Sequence, residues 1–284
     1  MTHEQRQTLA VQAAISIAAR YGIVDCTPTI LRDSHHISVH LAPFPIVARV
    51  ATTPETATGL ANEVTVVRYL LQAGAPVVAP SAALPPGPHV HDAATLTYWT
   101  FVEHRTGHEV APAAAAAALQ ALHEAFEGYT GNLPLFTDAI AQCHSWLEDP
   151  RRLSALAADD RRFLLIQHRR LTHRLASIEM SLVPLHGEPH LGNLLASANG
   201  PLWIDFEAVC TGPREWDVTC LPEQAATSLR GLDPDLLGVL RALRSLCVAV
   251  WCWDKPDRAP EVREAAVYHL ARLHALARTG LADW

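Results

Sequence analysis

Lysine is all but missing from this 284-residue sequence: Lys255 is the only one, and arginine supplies the other positive side chains. Any N-terminal site that holds phosphate must therefore use arginine or backbone amides. The six cysteines include no C-x-x-C pair, which argues against a structural zinc site and reads as reduced thiols in a core-rich chain. Residues 1–19 lack the basic start and unbroken apolar run of a signal peptide. No run of about 18 uncharged apolar residues suggests a membrane span. These absences lead to the expectation of a cytoplasmic protein with no membrane partner. A formal charge of -7 makes the chain a poor general binder of phosphate backbones, so no nucleic-acid partner is expected.

Periodicity gives the outline. Residues 4–21 read as an amphipathic helix ended by Gly22. Ile37–Leu41 and Ile46–Val50, separated by Ala42-Pro43-Phe44-Pro45, read as paired strands. A helix is expected from Thr53-Pro54-Glu55 to Gly74, then a proline-rich loop and a strand over 94–102. Beyond a connecting segment near Glu103 to Gly107, helical patterns dominate: roughly 111–127, 136–147, 152–180, 234–253 and 260–279. A strand-and-loop island, 182–206, interrupts them. Asn199-Gly200 signals a hairpin turn within it.

That island carries the chemistry. It reads His186-Gly187-Glu188-Pro189-His190-Leu191-Gly192-Asn193, then Ile204-Asp205-Phe206-Glu207. One hairpin brings an amide and a carboxylate together. Asn193 and Asp205 offer the hard oxygens that magnesium takes beside phosphate and water. Glu188 is left to accept a proton from an attacking hydroxyl. A zinc site on His186 and His190 is disfavoured, because Pro189 and Gly187 break the helix such a pair needs.

The stretch resembles the catalytic loop and metal-binding aspartate of the aminoglycoside phosphotransferase and choline kinase group, which has a protein-kinase-like fold. Gly212-Pro213 and Glu215-Trp216-Asp217 continue that resemblance. The likeness implies an α+β protein of two lobes. Residues 1–103 form a small nucleotide-binding lobe with an antiparallel sheet; residues 104–284 form a larger, mainly helical catalytic and substrate-binding lobe. It implies ATP or GTP with Mg2+ as cofactors and a small-molecule hydroxyl as acceptor. By the same resemblance Arg49 holds the nucleotide phosphates, and Glu63 on the next helix is its ion-pair partner. Ser34 lies in the turn over the phosphates, Phe101 and Glu103 in the hinge that docks the base, and Asp217 braces the catalytic loop. The sequence departs from the family pattern twice. Glu188 stands where aspartate is usual, which leaves a catalytically impaired nucleotide-binding protein as the alternative. Arg49 stands where lysine is commoner.

Overall fold

The computed structural model describes residues 1–104, 110–254, 256 and 260–278. Gly107 and Lys255 lie outside the described residues. Two compact units are present, one built from residues 1–131 and 190–208, the other from 132–189 and 209–284.

The first unit is organised by a five-stranded antiparallel sheet. Its strands are β1 (Thr27–Asp33), β2 (Ile37–Ala42), β3 (Ile46–Ala51), β4 (His89–His91) and β5 (Ala94–Thr100), in the order β1-β2-β3-β5-β4. Ile37, Val39 and Leu41 alternate inward along β2, as a strand with one covered face requires. Central β3 is buried along nearly its whole length. Helix α1 (His3–Ala19) starts at a capping box between Thr2 and Gln5 and lays Ala10, Ala13, Ala14, Ile17 and Ala18 on the sheet. The small alanines permit close approach. The buried Tyr98 hydroxyl of β5 donates to the Ala14 carbonyl at 2.6 Å.

The expected helix between residues 53 and 74 is two helices, α2 (Pro54–Ala57) and α3 (Leu60–Gln72). Gly59, at φ 96°, breaks the run in a left-handed conformation that glycine adopts without steric penalty. Strands β1 and β4 were not anticipated. Both are sheet edges, and β1 carries Pro28 and a register shift between Ile30 and Arg32, which blurs the alternation. Helix α4 (Pro112–Ala125) also belongs to this unit.

The second unit is mainly helical. It contains α5 (Phe136–Glu148), α6 (Ala158–Leu175), the strand β6 (Val183–Leu185), and later α7 (Arg214–Val218), α8 (Glu223–Ala226), α9 (Pro234–Asp254) and α10 (Pro260–Arg278). Helix α6 begins six residues later than its periodicity suggests; residues 151–155 are turn. Leu240, Leu243, Leu246 and Val250 of α9 sit in one apolar cluster with Phe136, Ile140, Leu164 and Trp216. Helix α9 is long and apolar enough to cross a membrane by length and composition, although it is not an uncharged run. Its apolar face is buried in this core, and it carries Arg241 and Arg244, so the hydrophobicity is that of a core helix.

Candidate active site

In the first unit the site grows from a short hairpin, β7 (Leu194–Ser197) and β8 (Gly200–Trp203). Residues 198–199 form the turn, and Gly200, at φ 109°, already pairs with Ser197. The turn therefore sits one residue earlier than the Asn199-Gly200 signal suggests. The Ser197 hydroxyl locks it by donating to the Gly200 carbonyl at 2.6 Å. Pairing continues past the strands: the Ile204 amide donates to the Asn193 carbonyl at 3.0 Å. This register sets Asn193 beside the residue preceding Asp205. Asp205 itself has φ 70°, which costs a non-glycine residue on the order of 1 kcal/mol and is held by the surrounding bonds.

Arg49 on β3 is the centre of the constellation. Its Nη1 meets Glu63 Oε1 at 3.1 Å, and its Nη2 meets Asp205 Oδ1 at 2.5 Å and Glu207 Oε2 at 3.1 Å. Glu63 reaches Arg49 from the buried face of α3. It is only 1% exposed, and its Oε1 also accepts from the Phe206 amide at 2.9 Å. His36 closes the far side. Its Nε2–H donates to the Thr56 carbonyl at 2.7 Å, and its Nδ1 faces Glu207 Oε2 at 3.1 Å and Arg49 Nη2 at 3.2 Å. Arg32 of β1 donates weakly to the Asn193 side-chain oxygen, at 3.4 Å.

The electrostatics are dominated by burial and by these pairings. Burial pulls the Arg49 guanidinium down, but the carboxylates of Glu63, Asp205 and Glu207 outweigh it and hold it above the ordinary arginine range. Burial pushes the Glu63 carboxyl up, opposed by Arg49 and the Phe206 amide, with Asp205 and Glu207 adding to the rise. Burial also acts on Glu207, but the hydrogen bond from His36 and the charge of Arg49 outweigh it and bring Glu207 down to about 2.

Three carboxylates, Glu63, Asp205 and Glu207, surround one guanidinium, which leaves a formal charge of -2 before His36 is counted. Among the described residues Arg49 Nε and Glu63 Oε2 are buried without a hydrogen-bond partner. The amide oxygen of Asn193 and the carboxylate of Asp205 are donor types that a hard divalent cation takes. No group of three or more His, Cys, Asp or Glu residues among the described ones could hold a metal. A cation here would depend on ligands brought with it.

The remaining expected residues lie as follows. Ser34 sits in the turn before β2, its amide bonded to the His36 carbonyl and its carbonyl accepting from Arg6 at 2.6 Å. Phe101 stacks on His40 of β2, with ring centroids 3.8 Å apart. Glu103 is exposed and lines a cavity of about 600 Å³ with His104, Ala114, Ser197 and Pro201. Glu188 belongs to the second unit, on the loop that follows β6. There Asp217 is fully buried; its carboxylate accepts from the amides of His186 at 3.1 Å and Gly187 at 2.8 Å. Sequence reasoning placed His36 only with Ser34 in the turn over the phosphates and assigned no task to Arg32 or Glu207. The one available signal was that Glu207 follows Asp205 by two residues.

A β-sheet unit built around an arginine–carboxylate cluster, together with a helical unit carrying an aspartate-braced loop, defines a protein-kinase-like phosphotransferase. The chain belongs to the phosphotransferase enzyme family, whose model matches residues 39–243. No curated relative matches it by sequence. Among solved structures, a microcompartment-associated aminopropanol kinase is 15% identical with a TM-score of 0.75, covering 96% of this chain and 98% of that one. The amicoumacin kinase hAmiN, in complex with AMP-PNP, Ca2+ and Ami, is 13% identical with a TM-score of 0.70, covering 96% of both chains. The GDP complex of aminoglycoside 2'-phosphotransferase-IIIa is 14% identical with a TM-score of 0.69, covering 93% of this chain and 99% of that one. At these identities the likeness is one of fold.

Proposed function

We propose that the protein transfers the terminal phosphate of ATP, or of GTP, to a hydroxyl of a small molecule in the cytoplasm. The observation that carries this reading is the convergence of Glu63, Asp205 and Glu207 on the Arg49 guanidinium. Residues 1–103 supply the nucleotide-binding lobe and residues 104–284 the catalytic and acceptor-binding lobe. Arg49 holds the nucleotide phosphates and is itself aimed by Glu63. Ser34 covers the phosphates, and Phe101 and Glu103 border the base. Asn193 and Asp205 would hold magnesium, which would supply positive charge to neutralise the phosphates. Glu188 orients the acceptor hydroxyl and takes its proton. The protein's share of such a reaction is positioning and charge neutralisation, with no covalent intermediate required.

The test is nucleotide consumption by the purified protein across amines, sugars, amino alcohols and antibiotics, with the phosphorylated position mapped on any acceptor. Asp205→Ala should lower turnover by roughly 100-fold or more while the protein remains folded. Full activity in that variant would falsify the assignment. Magnesium–ATP binding with no turnover on any acceptor would instead favour the impaired nucleotide binder, a reading that rests on glutamate at position 188.

A further inference from the structure

Arg244 on α9 lies one residue beyond the span matched by the family model, and nothing in the site described above assigns it a task. It is 7% exposed. A guanidinium is costly to bury unless its donors are satisfied. Among the described residues Arg244 forms no ion pair; it spends its donors on neutral oxygens. Nη2 donates to the Gly187 carbonyl at 2.8 Å and to the Trp216 carbonyl at 3.2 Å, and Nε donates to the Thr219 hydroxyl at 3.1 Å. The guanidinium carbon lies 3.5 Å from the centre of the Trp216 ring. Packing on that ring alone would be served as well by methionine or leucine. What needs an arginine is the capture of a backbone carbonyl.

That carbonyl belongs to the peptide joining Gly187 to Glu188. The N–H of the same peptide, on Glu188, donates to His186 Nδ1 at 3.3 Å. The preceding N–H, on Gly187, is held by Asp217. Gly187 has φ 87°, where a side chain is disfavoured, so the loop turns sharply just before residue 188. Both ends of the peptide that carries Glu188 are therefore tied down, the carbonyl end by Arg244 alone among the described residues. Glutamate has one methylene more than aspartate, so a given tilt of this peptide displaces its carboxylate further.

We propose that Arg244 is a positioning residue for phosphoryl transfer, fixing the Gly187–Glu188 peptide so that the Glu188 carboxylate points at the acceptor. This rests on Glu188 being the group that receives the acceptor's proton. The experiment follows magnesium–ATP consumption, with water as acceptor or with an acceptor from the screen, in Arg244→Met, Arg244→Lys, Arg244→Ala, Glu188→Gln and the double variant Glu188→Gln/Arg244→Met. Expected is a fall in kcat of roughly 100-fold in Arg244→Met. KM and Kd for magnesium–ATP should stay within about twofold, and millimolar methylguanidinium should partly restore Arg244→Ala. Arg244→Met should cost nothing more once Glu188 is already glutamine. If Arg244→Met does not fold, Arg244→Lys, which keeps charge and bulk but loses the fork, carries the same comparison. The proposal is overturned if kcat is unchanged, or if the Arg244 loss persists in full in the Glu188→Gln background. Wild-type turnover in Glu188→Gln alone sinks the role of Glu188, and is told apart from failure of Arg244 by that single variant.

Discussion

Arg49 shows how much depends on one side chain. Among the described residues it is the only cation paired with Glu63, which is buried, and Asp205 also leans on it. Arg49→Met strands two carboxylates, one of them wholly out of water. Removing one partner of a buried pair costs about 3–5 kcal/mol, so this variant should lose most of its denaturation midpoint as well as nucleotide binding; calorimetry and a nucleotide titration read the two losses separately. Glu207 makes the pH prediction. Its folded pKa, about 2, lies below the ordinary glutamate value of 4.5. The stability it contributes is thus complete above about pH 4.5 and disappears as pH falls through 2. Glu63 is raised and acts in the opposite sense, resisting ionisation as pH climbs past 4.5. Glu207→Gln should therefore flatten the acid limb of a stability-versus-pH curve between about 4.5 and 2, measured by urea melts; an unchanged slope refutes the assignment.

At the scale of elements, legibility followed burial pattern and turn chemistry. Strands β2, β3 and β5 could be read because one face or both are continuously apolar. Strands β1 and β4 could not, because edge strands with mixed exposure and proline carry little alternation. The Gly59 break was hidden because the apolar spacing on either side continues as if the helix did. For the candidate site, Asn193 and Asp205 were singled out from their spacing around a hairpin, a local feature. His36 and Arg32 were not, since what brings them in is sheet register and a turn, and neither leaves a trace in spacing. Arg244 was missed for a further reason: its partners lie 57 and 28 residues away, across an α9 whose pattern reads simply as core. Helix α9 yields its own prediction. Leu243→Ala removes a fully buried side chain and should cost about 2–5 kcal/mol by denaturant unfolding. A change much below 1 kcal/mol would contradict the packing described for the second unit.

At the scale of the molecule, the fold class was legible almost entirely from the 182–206 island and the order of strands and helices around it. What was not legible is the chain's path through its compact units: residues 190–208 leave the helical unit and join the sheet unit. Contacts, not sequence order, decide that. Stability linkage gives a prediction for the whole protein. A nucleotide that binds only the folded state adds RT ln(1 + [L]/Kd), about 2.7 kcal/mol at one hundred times Kd. Saturating magnesium–ATP should therefore raise the melting temperature by several degrees, and Asp205→Ala should abolish the rise; an equal rise in both proteins would place the nucleotide elsewhere.

The guanidinium at position 49 has a practical corollary for anyone cataloguing such enzymes by chemical labelling. Acylating nucleotide reagents mark an amine near the phosphates, and in the proposed reading the side chain that β3 offers them carries none. Surveys built on that capture chemistry will pass this protein by, whatever its abundance, whereas enrichment on an immobilised nucleotide, which asks for no reactive amine, will retain it.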